Sequence, residues 1–562
     1  MNDMRLSRNT VPSRLLTTRE QPEGTSIVHL GLGNFHRAHQ AEYTARALAE
    51  HGGPWGILGV ANTSRTVVDA MIAQNMLYGI VEISPSGSRV SVPGPHTGVM
   101  VAAENPAAVV EAIANPEVKV VTVTVTEHGY TFSPETGKLD IDSPPVQHDL
   151  ANPTNPRTTV GQIARALAVR ARTHGAPITI ASCDNVLSNG SRTAALVHEF
   201  LERARASDVL EWISTSVTFP NSMVDRIVPA SAEVYNSSSS TALGATDSIA
   251  VPAEPFSMWV MEDRFSAGRP KWELAGATFT SDVESFELMK VRLLNGTHSL
   301  IAYLGALDGR STIPDSTSQP SIEMAARAVL VDEYLPTISV PDSIDIDTYI
   351  AQLFGRWSNS ALGHRTSQVG SDGSGKLAQR IPEPARLHLD NGSVPQHLAL
   401  TVAAYLCCVA PPLDFDPGPH AHAMTDPARP RLAELAASAA SYVVAGCDQR
   451  VMAPGTQMMI HDPWSSAWGC NAAEMAKAAT TLDKIAQGLA DLYADVAGGT
   501  SEGWRGAVSS SGTSRLGSSS RKSRPSWTKR ASMMSSSSRT AARSSSVCPA
   551  SSARVSVSSQ LI

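Results

Sequence analysis

Lys290, Asn295 and His298 stand close together in the stretch Met289–His298, and each is a residue type that moves protons or makes hydrogen bonds. Wound as an α-helix at about 100° per residue, they fall at about 0°, 140° and 80°, on one side. Leu293 and Leu300 are left to pack elsewhere. Taken alone, the trio reads most simply as a half-exposed polar helix face. A second constellation lies near the N-terminus. Ile27-Val28-His29-Leu30 leads into Gly31-Leu32-Gly33-Asn34-Phe35-His36-Arg37-Ala38-His39, and a helical pattern follows. Gly31 permits a tight turn, and Gly33 lets a pyrophosphate approach the backbone at the start of the next helix. His36 replaces the third glycine of GxGxxG, so the spacing alone is a weak dinucleotide signal. Its place between a first strand and a helix strengthens it. The competing reading is a glycine-rich connector. His36 and His39 have no nearby third partner and point to no metal site.

An α/β frame must position these groups. Runs rich in β-formers at Ser26–Leu30, Gly56–Val60, Lys119–Thr126, Ile178–Cys183 and Ile213–Phe219 alternate with helical stretches such as Ala38–Glu50 and Val160–His174. That alternation predicts parallel βαβ units. Beyond about residue 287 the strand signal fades. Ile322–Glu333, His397–Val409, Arg431–Val444 and Ala472–Val496 are Ala/Leu-rich and long enough for helices. The expected architecture is a polar arm at 1–24, an expanded Rossmann-type domain at 25–286, a mostly α-helical domain at 287–500 and a disordered Ser/Arg-rich tail at 501–562. The expected active site lies in the cleft between the two domains.

The 562 residues are 42% apolar, enough for substantial cores, and no run reaches the roughly 18 residues of a membrane span. The first 24 residues lack the apolar centre of a signal peptide, so the expected location is the cytoplasm. Six cysteines without CxxC spacing point away from disulfides and structural zinc. The net charge of −7 hides an asymmetry: from Arg505 onward there are eight Arg, two Lys, 22 Ser and no acidic residue. The rest is strongly acidic and is no obvious nucleic-acid binder. The tail cannot bury enough apolar surface to offset its ordering entropy. Its abrupt Ser/Arg/Ala bias reads first as a frameshifted end and next as a disordered extension.

Several stretches, taken in order, resemble the mannitol dehydrogenase family of long-chain, metal-independent polyol and sugar-acid dehydrogenases. They are Ile27–Leu30 with GLGNFHRAHQAEYT, Thr126-Glu127-His128-Gly129-Tyr130, and Ser182-Cys183-Asp184-Asn185 with Asn189-Gly190. Phe219-Pro220-Asn221-Ser222-Met223-Val224-Asp225-Arg226, Glu254-Pro255-Phe256 and the stretch Met289–His298 complete the set. The resemblance covers about residues 25–500. It implies that Lys290, Asn295 and His298 form the family's K-x4-N-x2-H catalytic motif. Lys290 would then be the acid/base, Asn185 and Asn295 donors to the reacting oxygen, and His298 an orienter of substrate hydroxyls. Asp225 would bind a substrate hydroxyl or tune Lys290, unless it is a structural carboxylate paired with Arg226. Gly31, Gly33, Asn34, Phe35, His36 and Arg37 are the expected cofactor-binding residues.

The second strand ends in Val60-Ala61-Asn62-Thr63-Ser64-Arg65 without the acidic residue that usually favours NAD. Ser64 and Arg65 leave NADP open, while the resemblance leans to NAD. His364-Arg365-Thr366-Ser367-Gln368, Asp372–Leu377 and Gln379-Arg380-Ile381 look more like the branch that reduces fructuronate to mannonate, since mannitol-specialised members tend to carry Arg at the place of Gln368. Arg365, Gln368 and Lys376 are the expected substrate-binding residues, with Arg365, Lys376 or Arg380 supplying a cation for a carboxylate. The alternative is that these residues cap helices. The expected activity is a reversible NAD(P)-linked interconversion of a hexitol or hexonate with its keto form, in a monomer or weak dimer. The alternative is a non-catalytic sugar or nucleotide sensor.

Overall fold

The structure, a computed structural model, describes residues 5–133, 136–412 and 415–433. The expected helices beyond residue 433 and the Ser/Arg-rich tail lie outside these residues. Two compact units are present, residues 1–402 and 403–562, and every site residue considered below belongs to the first.

The strands of the first unit are β1 (Thr25–Leu30), β2 (Gly56–Ala61), β3 (Ile80–Ser84), β4 (Gly87–Ser91), β5 (His96–Val101), β6 (Val120–Val123), β7 (Ile178–Ser182), β8 (Val217–Thr218), β9 (Ser222–Asp225), β10 (Val251–Ala253), β11 (Met258–Met261) and β12 (Thr278–Phe279). Six of them form one sheet in the order β5-β2-β1-β6-β7-β8, with every neighbouring pair parallel. This is the Rossmann order, and it reverses direction between β1 and β6. β6 and β7 are buried throughout and β1 nearly so, as parallel strands covered on both faces must be. The helices Pro106–Ala114, Thr159–Arg172 and Asn189–Arg203 supply Val109, Ile113, Ile163, Leu167, Leu196 and Phe200 to one core layer. A second core joins Ala41, Tyr43 and Ala47 of the helix Gln40–His51 to Trp259 and Trp272.

Two expectations need correction. Most of Ile213–Phe219 is helical: Ser207–Ser216 buries Val209 and Ile213, four apart. Helical spacing outweighs the local β-propensity, which leaves only the short β8. The N-terminal arm is not a polar arm. Leu6, Val11 and Leu16 are buried in a core with Leu77, Val81 and Leu243, and Leu16 bridges to Val92. The small sheets β10-β3-β4 and β12-β11-β9 also go beyond the expected βαβ pattern.

From Val283 the described residues are mostly helical. Val283–Met289 runs into a π-helix at Lys290–Gly296 and then an α-helix at Thr297–Leu307. Pro320–Ala328, Ile346–Trp357, Gly373–Arg380 and Pro382–Asp390 follow among the longer helices of this unit. In the second unit Tyr405 donates a hydrogen bond to Asp426 at 2.8 Å. Among the described residues no helix is long and apolar enough to cross a membrane.

Candidate active site

Lys290 opens the π-helix, and Asn295 is the fifth residue after it. In an α-helix the two would point about 140° apart. The wider i→i+5 winding of a π-helix closes most of that angle. Lys290 and Asn295 accordingly line one pocket, together with Asn185, Glu287, Gln379 and Arg380. Lys290 is buried. Its Nζ donates to Asn185 Oδ1 at 2.6 Å and to the Val224 carbonyl oxygen at 2.5 Å.

The motifs of the N-terminal half hold this arrangement. Asn185 follows β7. The preceding residue, Asp184, accepts hydrogen bonds from the Val125 and Thr126 amides and from the Tyr130 hydroxyl, tying the end of β6 to the end of β7. Asn189 accepts from the Ser222 amide and donates to the Asp184 and Ser222 carbonyls. A Cβ on Gly190 would lie 2.3 Å from the Pro220 carbonyl oxygen, so only glycine lets the helix approach this loop. β9 then presents Val224 to Lys290 and Asp225 to Arg356.

Asp225 does not pair with Arg226. Its two carboxylate oxygens each accept from Arg356 at 2.8 Å, and Arg356 also holds Glu254 at 2.8 and 2.9 Å. Arg226 bonds Glu42 and Glu82 instead. Burial alone would raise the Asp225 carboxyl, but the adjacent Arg356, reinforced by Lys290, holds it below the usual carboxylate range. Burial pulls the Lys290 ammonium down to about 8; Asp225 opposes this, while Arg356 and Arg380 add to it. Glu287, one helical turn before Lys290, is pushed up to about 7 by burial although the Ser188 amide donates to it.

His298 is half-buried beside Trp357 and His364, with ring centroids 6.3 and 5.6 Å away. Its Nε2 has no hydrogen-bond partner. Burial, followed by the positive fields of His364, Arg380 and Arg356, holds the imidazole far below its usual range and therefore neutral. Arg365 and Gln368 are exposed, and Lys376 donates to the Val369 and Ser371 carbonyls. None of these three lines the Lys290 pocket, whereas Arg380 and Gln379 do.

At the dinucleotide end Gly31 has φ +108°, and a Cβ there would lie 2.0 Å from the Thr124 carbonyl oxygen. Gly33 caps the helix Asn34–Ala38 with no side chain bonded across its N-terminus, so backbone amides face an open, exposed turn. Asn34 and Phe35 are partly exposed there. His36 and Arg37 depart from expectation, because their side chains are buried and do not face the turn. His36 stacks on His29 at 3.4 Å and meets His96. Arg37 bonds the Ile249 carbonyl and Asn34 and lies over Tyr78. Both residues shape the turn from beneath. After β2, Ser64 caps the helix Arg65–Ala73, and Arg65 bonds Glu104 at 2.6 Å and Asp69 at 3.3 Å.

Sequence reasoning missed Glu287, Arg356 and Gln379. Glu287 had one signal, its i,i+3 spacing from Lys290. Arg356 had none, since it looks like any basic residue in the last turn of the helix Ile346–Trp357.

A Rossmann sheet with an open glycine turn, joined to a helical segment that buries a lysine between two asparagines, defines an oxidoreductase of the dinucleotide-fold class. Residues 25–274 match the mannitol dehydrogenase Rossmann domain and residues 282–444 the mannitol dehydrogenase C-terminal domain. The chain belongs to the mannitol dehydrogenase family. It is 42% identical over 388 residues to the D-mannonate oxidoreductase of Escherichia coli K12, which covers 68% of this chain and 79% of that one. It is 37% identical over 383 residues to the mannitol 2-dehydrogenase of Cereibacter sphaeroides, covering 67% and 80%. The structure of Pseudomonas fluorescens mannitol 2-dehydrogenase in ternary complex with NAD and D-mannitol matches with a TM-score of 0.68 at 32% identity, over 79% of this chain and 92% of that one. The family match ends at residue 444, short of the expected 500, and residues 433–509 match a Clp protease family model.

Proposed function

We propose that the protein catalyses reversible, NAD-linked oxidation of a secondary alcohol in a hexitol or hexonate to the corresponding ketone, with Lys290 as acid/base. The observation that carries this reading is the hydrogen-bond count at Lys290. An ammonium has three N–H donors. Two of them go to Asn185 Oδ1 and the Val224 carbonyl. The third is left for an oxygen in the pocket that Asn295 and Arg380 also line. Protonated Lys290 therefore suits delivery of a proton to a ketone oxygen. Neutral Lys290 suits removal of a proton from an alcohol, and with its lysine held near 8 the site runs in either direction around neutral pH.

Asn185 gives its carbonyl oxygen to Lys290, which turns its amide N–H toward the reacting oxygen. Asn295 supplies a second neutral donor. Such donors stabilise the charge that builds on oxygen during the reaction. His298, neutral and with an unpartnered Nε2, is the group we assign to orienting a substrate hydroxyl. Asp225, saturated by Arg356, acts on Lys290 through its field. The uncapped turn at Gly31 and Gly33 fits a dinucleotide pyrophosphate, and the bound nicotinamide supplies the hydride acceptor or donor. NAD fits better than NADP, because Arg65 is already committed to Glu104 and Asp69, whose charges repel a 2′-phosphate.

A spectrophotometric screen of fructose and fructuronate with NADH and NADPH, and of mannitol and mannonate with the oxidised cofactors, tests the reading. Turnover of one of these pairs, preferentially with NAD, is expected. Cofactor binding without turnover on any hexitol or hexonate would favour a sensor instead.

A further inference from the structure

Arg380 lines the same pocket as Lys290 and Asn295, and burial depresses its guanidinium. Arg380 is half-buried, and the fully buried arginines of this unit are held by carboxylates or by carbonyl and side-chain oxygens, with only the Nε of Arg37 left buried and unbonded among them. Arg356 faces Asp225 and Glu254, Arg226 faces Glu42 and Glu82, and Arg292 faces Glu383. Arg170 bonds backbone carbonyls, and Arg37 bonds the Ile249 carbonyl and Asn34. Arg380 differs. Its Nη1 donates to the Asn295 carbonyl oxygen at 2.9 Å and to Ser299 Oγ at 2.6 Å. Its Nε and Nη2 bond to no described residue, and no described carboxylate pairs with it. The groups that oppose the burial effect are only the hydroxyls of Tyr303 and Tyr334.

A half-buried cation without a counter-ion, partly withdrawn from water, gains from a ligand that supplies the charge. A guanidinium edge with two adjacent N–H directions matches a carboxylate bidentately, which a neutral hydroxyl cannot do. Within the reaction proposed above, on which this inference rests, we infer that the substrate is a sugar acid and that Arg380 binds its carboxylate. The favoured pair is then a keto-hexuronate and its hexonate rather than a neutral ketose and its hexitol. The bond from Arg380 to the Asn295 carbonyl couples that recognition to the chemistry, because the residue that reads the carboxylate also fixes the backbone carrying an oxyanion donor.

The test is steady-state kinetics of the full chain with NADH on fructuronate and fructose, for wild type, Arg380→Met and Arg380→Lys. Wild type is expected to favour fructuronate strongly in kcat/KM. Arg380→Met should cut that preference by about 10- to 100-fold, mostly through the KM for fructuronate, with part of it restored in Arg380→Lys. A wild type that prefers fructose would overturn the inference while leaving the proposed reaction intact. Equal losses on both substrates in Arg380→Met would also overturn it, by showing that Arg380 only positions Asn295. Turnover of neither substrate by wild type would sink both readings. Should the variants fail to fold, wild-type inhibition decides. Mannonate should inhibit more tightly than mannitol and lose that advantage in high KCl; equal, salt-independent inhibition overturns the inference.

Discussion

Lys290 Nζ and Asn185 Oδ1 meet at 2.6 Å although 105 residues of chain separate them. The contact joins the end of a Rossmann strand to the first turn of a π-helix, so the two parts of the site form only when both are folded. Lys290→Ala should lower kcat on the order of 10²–10⁴-fold and leave NADH affinity, read by fluorescence titration, nearly unchanged. Alcohol oxidation in wild type should rise as pH passes about 8, where Lys290 becomes neutral, and ketone reduction should fall over the same interval. EDTA should have no effect. Activity lost in EDTA and restored by Zn²⁺ would remove the lysine from the central role.

Asp225 raises the affinity of Lys290 for its proton, whereas burial lowers it. Asp225→Asn should therefore move the ascending limb of the oxidation profile to lower pH. It should also cost about 3–5 kcal/mol of stability, the range for breaking a buried ion pair by removing one partner. Urea titration and a pH–rate profile of the same variant check the two effects. An unmoved limb would show that the Asp225 field does not reach the lysine.

Four enclosed imidazoles make the fold acid-sensitive. Burial holds His29, His39 and His96 at about 3 and His36 well below its usual range. In the unfolded chain they take protons near 6.5. Below that pH the unfolded state binds more protons than the native state, so stability is full above about 6.5 and falls until the folded-state values are reached. Each histidine contributes a slope of up to about 1.4 kcal/mol per pH unit. Urea midpoints should drop steeply between pH 6.5 and 4, and more gently in His96→Gln, which has no imidazole there to protonate. A flat profile would show that these rings are accessible to protons in the native state.

Arg65 is held by Glu104 and Asp69 at the end of the second strand. Glu104→Gln should free the guanidinium and raise the NADP-to-NAD ratio of kcat/KM by several-fold. Arg65→Ala should leave NAD kinetics close to wild type. A Glu104→Gln variant with an unchanged ratio would place the ribose recognition elsewhere.

The sheet was readable because its strands are covered on both faces. Val28, Val121 and Ile180 lie in short runs rich in β-branched residues that are buried along almost their whole length. The helix Ser207–Ser216 misled because Ile213, Thr215 and Val217 favour strands locally, while the spacing of Val209 and Ile213 belongs to a helix. Lys290, Asn295 and Asn185 could be found from motif order. Their mutual angle could not, because nothing in the residue types of Lys290–Gly296 signals i→i+5 bonding. His36 misled in a different way: a histidine in a glycine-rich turn suggests a ligand, yet here it stacks on His29 and meets His96 edge-on beneath the turn. Arg356 was invisible because its role depends on Asp225 and Glu254, which lie 131 and 102 residues away.

Leu6, Val11 and Leu16 pack with Leu77, Leu243, Ala250 and Leu362. During synthesis these side chains emerge well ahead of part of that core, and their last described partner is made some 350 residues later. At a translation rate of about 5–20 residues per second, these side chains wait on the order of tens of seconds before the core they close upon is complete. The strap is therefore a late fastening on the fold. A fusion that holds the first residues away from that surface would leave the Rossmann sheet free to form while denying the finished unit its final seal.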